Sequence, residues 1–114
     1  MKSPITTHVL DTTRGTPAEG VLVALEMQQS DGRWKELGRG TTNSDGRLTD
    51  LLPEGHRPVH GTYRLIFFTA EYFSLLNVDS FYSRVAIEFV VGNSEHYHVP
   101  LLLSPFGYST YRGS

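Results

Sequence analysis

Apolar residues recur along this chain in short runs, and most of these runs alternate with polar residues. A period of two predicts strands that bury one face. Residues 84–91 are typical, because Val85, Ile87, Phe89 and Val91 would share a face. The nearly continuous apolar run at residues 21–27 is short enough for a buried strand. The pattern predicts strands at residues 5–10, 21–27, 34–42, 63–69, 84–91, 95–103 and 106–112.

Turn-forming residues separate these runs, as at Arg14-Gly15-Thr16-Pro17, Asp31-Gly32 and Asn43-Ser44-Asp45-Gly46. Short strands at short intervals predict a sandwich or a barrel. Only residues 69–76 have helical spacing, so we predict one short helix there with Thr69 as its N-cap. No repeat or linker interrupts the chain, so we expect one domain over residues 1–114.

Composition excludes several classes of protein. The chain of 114 residues has a net charge of -2 and no basic stripe, which argues against a nucleic-acid partner. It has no cysteine, so neither disulfides nor thiolate metal sites are possible. No apolar run reaches the roughly 20 residues of a membrane span. We expect a cytoplasmic protein; a peroxisomal location, or a periplasmic one after removal of a signal peptide, is the alternative.

The candidate functional residues are polar residues that lie in predicted strands. His8 lies inside the first strand, and His96 and His98 would point to one face of a later strand. Pro100 in that strand predicts an edge, a bulge or a break, because proline cannot donate to a ladder. The last residues alternate to the end of the chain, with Tyr111 and Gly113 on one face and Arg112 and Ser114 on the other.

Each of these residues also has an ordinary structural explanation. A strand histidine is more often a satisfied structural or surface group than a ligand. His96 and His98 could form a metal pair, but no third ligand lies at a fixed spacing. Asp45-Gly46 could simply form a turn, with Arg47 as a solvated charge after it. Taken singly, none of these residues establishes a function.

Three segments together resemble one known family. They are Thr7-His8-Val9-Leu10-Asp11-Thr12-Thr13-Arg14-Gly15-Thr16-Pro17-Ala18, Thr42-Asn43-Ser44-Asp45-Gly46-Arg47, and residues 96–114, which end in Tyr111-Arg112-Gly113-Ser114. The chain resembles the transthyretin-related 5-hydroxyisourate hydrolases over essentially its whole length. The resemblance implies an all-β, two-sheet, eight-stranded sandwich with one short helix. It also implies a homotetramer, built as a dimer of dimers, whose active sites lie in a channel between the dimers.

The resemblance also implies the site. His8, Arg47, His98 and Ser114 match the family's catalytic residues, and His8, Arg47, Tyr111, Arg112, Gly113 and Ser114 its substrate-binding residues. His96 lies beside the motif, and we expect a supporting or structural role for it. The alternative is a transthyretin-like carrier of small molecules, in which the positions of His8, Arg47 and His98 look like lysine, glutamate and threonine.

The activity that the resemblance implies is the hydrolysis of 5-hydroxyisourate to 2-oxo-4-hydroxy-4-carboxy-5-ureidoimidazoline, a step of urate degradation. We expect one of His8 and His98 to activate water and the other to orient it or protonate the leaving nitrogen. Arg47 and Arg112 would hold the substrate and stabilise negative charge. Ser114 would contribute its hydroxyl or its terminal carboxylate. Neither a metal nor a cofactor is expected.

Overall fold

The computed structural model describes residues 3–53, 56–93 and 96–113. In this part of the chain, the elements run in the order β1 (Ile5–Asp11), β2 (Thr16–Pro17), β3 (Leu22–Gln28), β4 (Trp34–Thr41), β5 (Arg47–Leu48), β6 (Gly61–Phe67), α1 (Thr69–Leu75), β7 (Val85–Val91), β8 (Tyr97–Ser104) and β9 (Gly107–Thr110). None of the described helices is long and apolar enough to cross a membrane.

The strands form two sheets. One has the order β2-β1-β8-β9, with β5 also paired to β1, and the other has the order β4-β3-β6-β7. The predicted two-sheet sandwich with one helix is confirmed. The described residues hold nine strands instead of eight, because Thr16 and Pro17 pair with Asp11 and Leu10 where the sequence predicted only a turn.

The core lies between the sheets and follows the predicted alternation. In β1, the core-facing residues are Ile5, Thr7, Val9 and Asp11, all buried. The two polar members are satisfied: the Thr7 hydroxyl donates to the Val99 carbonyl at 2.6 Å, and Asp11 accepts from the Tyr72 hydroxyl at 2.8 Å. These bonds offset the cost of burying polar groups. The other face of β1 is therefore left for Thr6, His8 and Leu10, and we call this side of the sheet the outer face.

The helix begins at its predicted cap residue, so its N-cap lies one residue earlier than predicted. Its N-cap is Phe68, which makes no side-chain capping bond, and Thr69 is the first helical residue. The Phe68 N–H still donates to the Leu22 carbonyl, so the chain passes directly from β6 into the helix. The prediction that Thr69 caps the helix is therefore wrong. Its hydroxyl is buried and has no hydrogen-bond partner among the described residues.

Candidate active site

The outer face brings together three of the predicted site residues. β1 and β8 run parallel, with Thr6 beside His98 and His8 beside Pro100. On the other side of β1, His8 lies directly opposite Arg47 of β5. Residues opposite each other in paired strands project to the same side. His8, Arg47 and His98, which are far apart in sequence, therefore share one face of the sheet.

A hydrogen bond to a backbone carbonyl determines the tautomer of His8. The His8 Nε2 lies 2.8 Å from the carbonyl oxygen of Asp45. A carbonyl can only accept, so Nε2 must carry the hydrogen. In neutral His8 the lone pair is therefore on Nδ1. This geometry prepares Nδ1 to accept a proton.

The turn before Arg47 is tied both to itself and to β1. The Asn43 side-chain oxygen accepts from the backbone N–H groups of Asp45, at 2.9 Å, and Arg47, at 3.0 Å. The Gly46 carbonyl accepts from the Val9 N–H at 2.7 Å. Gly46 has φ of 74°, and a β-carbon there would lie 2.3 Å from the Val9 carbonyl oxygen. Only glycine fits, so this turn fixes Arg47 beside His8.

A threonine orients His98. The Thr6 hydroxyl lies 2.8 Å from His98 Nδ1 and 3.2 Å from His96 Nε2. The two imidazole rings are nearly parallel, at 12°, with their centroids 6.4 Å apart. Thr6 itself is only 2% exposed. His96 thus contacts the same hydroxyl as His98, and its supporting role stays a prediction.

Pro100 shapes the approach of the C-terminal residues. The ladder between β8 and β9 pairs Leu101 with Thr110 and stops there, then resumes as a single bridge between His98 and Gly113. The register places Tyr111 opposite Pro100, which has no N–H to donate. The predicted break is therefore confirmed, although β8 lies between β1 and β9 and is no edge strand.

Gly113 closes onto His98. Its N–H donates to the His98 carbonyl at 2.8 Å. A β-carbon on Gly113 would lie 2.6 Å from His98 Cδ2 and 3.3 Å from Pro100 Cγ. A side chain at this position would therefore displace the imidazole ring. This contact explains why the segment carries a glycine next to its bulky residues.

Arg112 and Tyr111 lie near the start of β8. Arg112 donates to the His96 carbonyl at 3.4 Å, and its guanidinium lies 4.8 Å from the centre of the Tyr97 ring. Tyr111 is 58% exposed. Ser114 lies outside the described residues, so its role stays a prediction.

A cleft of about 340 Å³ lies between the open edges of the two sheets. His98, Tyr111 and Arg112 line it, but His8 and Arg47 do not. His8 and Arg47 instead lie on the outer face of the sheet. No three histidine, cysteine or carboxylate side chains of the described residues are grouped as metal ligands.

Two contributors to the site were not predicted from the sequence. Thr6 is a polar strand residue that no motif singled out, and Asp45 was predicted only as a turn residue. The contact of Thr6 with His98 depends on the parallel pairing of β1 with β8. The Asp45 contact uses a backbone carbonyl, which no residue type reveals. The pairing partner of β1 would have been the signal needed to find Thr6.

Comparisons of sequence place this chain among known proteins. Residues 5–113 match the family described as Transthyretin: HIUase/Transthyretin family. The 5-hydroxyisourate hydrolase of Salmonella dublin is 48% identical over 111 residues, which cover 96% of this chain and 80% of that protein. The 5-hydroxyisourate hydrolase of Mus musculus is 45% identical over 115 residues, covering 98% and 96%.

Solved structures of both a hydrolase and a transthyretin share this fold. The 5-hydroxyisourate hydrolase of Klebsiella pneumoniae has a TM-score of 0.86 and 38% identity, covering 98% of this chain and all of that one. Sea bream transthyretin, in complex with thyroxine, has a TM-score of 0.90 and 31% identity, covering 97% and 95%. Fold alone therefore does not separate hydrolase from carrier. With the family match over 5–113 and these relatives, the chain belongs to the HIUase/transthyretin family.

Proposed function

We propose that this protein hydrolyses 5-hydroxyisourate in urate degradation. The observation that carries the proposal is the placement of His8, Arg47 and His98 on one face of the sheet. The relatives with 43–48% identity include proteins whose descriptions read 5-hydroxyisourate hydrolase or "probable 5-hydroxyisourate hydrolase". A relative from Arabidopsis thaliana is described as a uric acid degradation bifunctional protein. These descriptions favour the enzyme over the carrier.

The two histidines divide the proton transfers. Hydrolysis of a cyclic amide requires that water lose a proton as it attacks and that the leaving nitrogen gain one. His8 has its Nε2 hydrogen held by Asp45, so Nδ1 is the nitrogen that accepts the proton from water. His98 then protonates the leaving nitrogen. Histidine suits both roles because its ordinary pKa, about 6.5, lies near working pH.

The arginines bind the substrate and stabilise charge. Arg47 and Arg112 stay protonated and offer planar sets of donors. Arg47 lies opposite His8, close to where an attacking water would meet the substrate carbonyl. There it stabilises the negative charge that develops on the carbonyl oxygen. Tyr111, Arg112, Gly113 and Ser114 complete the substrate site, with Ser114 contributing a hydroxyl or a carboxylate.

The proposed reaction uses neither a metal nor a cofactor, because histidine and arginine side chains supply the proton transfers and the charge stabilisation.

We also propose that the working form is the homotetramer, a dimer of dimers. In support, the edge strands β7 and β9 border one apolar cleft, and Val90 of β7 is 75% exposed. Exposed edge strands commonly pair with another chain. A cytoplasmic location stays a prediction from the sequence.

An ultraviolet assay tests the function. Urate oxidase would generate 5-hydroxyisourate in the cuvette, and its decay would be followed with and without the protein, before and after treatment with a chelator. We expect the protein to accelerate the decay to the same extent in both cases. Unchanged decay would refute the hydrolase, and thyroxine binding in the same preparation would then favour the carrier. A large loss on chelation would refute metal independence.

Substitutions test the assignment of residues. His98→Ala and Arg47→Ala should each lower kcat/KM by about 10²-fold or more, the range for losing a general acid or an oxyanion donor. Matched controls are His60→Ala and Arg33→Ala, which remove exposed side chains of the same types elsewhere. Full activity in His98→Ala or Arg47→Ala would contradict the site.

A further inference from the structure

The Thr6 hydroxyl is shared by two histidines. It lies 2.8 Å from His98 Nδ1 and 3.2 Å from His96 Nε2, and among the described residues it has no other side-chain hydrogen-bond partner. Thr6 is buried, so water does not readily replace either partner. The three groups therefore form one small network, of which only His98 belongs to the proposed acid–base pair.

Counting hydrogens restricts what this network can do. A hydroxyl has one hydrogen to donate and two lone pairs with which to accept. If it donates to His96 Nε2, then His98 must donate to it through an Nδ1 hydrogen. If it donates to His98 Nδ1, then His96 must donate through an Nε2 hydrogen. If both rings donated, the buried hydroxyl hydrogen would have no acceptor, which is costly.

The two neutral rings must therefore hold the same tautomer. In the first arrangement both carry the hydrogen on Nδ1, and in the second both carry it on Nε2. His98 Nε2 is a base in the first case and an acid in the second. The tautomer of His96 is thus coupled to the tautomer of His98 through Thr6.

We infer that Thr6 and His96 are positioning residues that set the orientation and tautomer of His98 through the shared hydroxyl. The inference rests on the proposed function, because it assigns their purpose to the acid–base step. The backbone supports it: Thr6 and His98 are direct partners in the β1–β8 ladder, so their side chains meet without any adjustment of the chain. A β-carbon on Gly113 would lie 2.6 Å from Cδ2, so the absence of a side chain there leaves room for the ring in this orientation.

Nitrogen NMR of the ligand-free protein tests the tautomers. At about pH 8, where histidines are mostly neutral, the ring nitrogens with and without hydrogen give well-separated signals. We expect His96 and His98 to show the same tautomer, and Thr6→Ser to preserve it. Opposite tautomers in the two rings would overturn the inference. The exposed His56 and His60 provide internal references.

Kinetics test the consequence. Thr6→Val keeps the size of the side chain but removes the hydroxyl, and it should lower kcat about tenfold with little change in KM. Thr6→Ser should restore most of kcat. His96→Leu should lower kcat when it is the only substitution. It should add no further loss to Thr6→Val, because that variant already lacks the hydroxyl that links His96 to His98. Additive losses, or an unchanged kcat in Thr6→Val, would overturn the inference.

These measurements separate the inference from the function. If the protein does not accelerate the decay of 5-hydroxyisourate, the proposed function fails, but the NMR measurement still decides whether Thr6 links the two rings. If the protein is active and the rings hold opposite tautomers, only the inference fails. The circular dichroism spectrum and the urea midpoint of each variant would show whether it is folded.

Discussion

At the residue scale, hydrogen bonds of ordinary length orient the imidazole rings of this site. His8 Nε2 lies 2.8 Å from the Asp45 carbonyl oxygen, and His98 Nδ1 lies 2.8 Å from the Thr6 hydroxyl. The third constraint is the absence of a side chain at Gly113. Each acts on the position of an imidazole ring, not on the stability of the sandwich. Substitutions here should therefore change catalysis more than they change folding.

Gly113→Ala is the sharpest test of this view. Its β-carbon would lie 2.6 Å from His98 Cδ2, so the ring must move away from its bond with Thr6. We expect kcat/KM to fall by about 10²-fold, because displacing a catalytic group by about 1 Å has effects of that size. Steady-state kinetics with the urate oxidase assay would measure it.

The matched control for this substitution is Gly107→Ala in β9. A β-carbon there meets only the Ser104 hydroxyl, at an ordinary 3.7 Å. It should keep nearly full activity. Equal activity in the two variants would show that the contact of Gly113 with His98 is unimportant, provided that both have the wild-type urea midpoint.

At the residue scale, the sequence predicted which side chains belong to the candidate site but not their hydrogen-bond partners. His8, Arg47 and His98 were predicted as site residues, and the structure brings them to one face. The tautomer of His8 could not be predicted, because it depends on a backbone carbonyl 37 residues away. Thr6 was missed as a partner of His98 for a similar reason: its contact spans 92 positions of the chain.

Among the elements, the turn that carries Arg47 is the most constrained. The left-handed φ of Gly46 and its close approach to β1 both require glycine. Gly46→Ala must therefore push the turn away from Val9 and move Arg47 from its place opposite His8. We expect a loss of about 1–3 kcal/mol in the free energy of unfolding, together with a clear loss of activity. Urea unfolding and the kinetic assay would measure the two effects.

The turn at Gly32 provides a control in which alanine would have a strained backbone but no steric overlap. Gly32 also has a positive φ, of 86°, but a β-carbon there would meet nothing within 4 Å. Gly32→Ala should therefore lower stability slightly and leave activity unchanged. If Gly46→Ala behaves in the same way, the packing of this turn against β1 does not position Arg47.

Elements were predicted well where local pattern determines them. The long strands and the helix fall close to their predicted bounds, and Pro100 does interrupt a ladder. The two-residue strand β2 was not predicted, because so short a segment has no period and pairs only when tertiary structure brings a partner. The cap was misplaced at Thr69 because β6 passes straight into the helix, and tertiary packing overrides the preference of threonine.

For the whole molecule, the open edges of the sandwich matter most. β7 ends one sheet and β9 ends the other, and the cleft between them is lined by both. The apolar Val90 side chain on β7 is largely exposed. Edge strands of this kind associate unless charge or a bulge prevents it. We therefore expect subunits to meet along this edge in the proposed tetramer.

Val90→Lys tests that assembly. Two copies meeting along β7 would bring the new charges close together in a partly desolvated interface, where like charges repel. We expect a wild-type mass four times that of the chain, and a smaller mass for the variant at low micromolar concentration, measured by light scattering. Val59→Lys, at an apolar residue of similar exposure outside the strands, should keep the wild-type mass. If the site depends on assembly, the specific activity of Val90→Lys will also fall on dilution, while that of Val59→Lys stays constant. A dissociated variant with full activity would show instead that the outer face of one subunit is sufficient for catalysis.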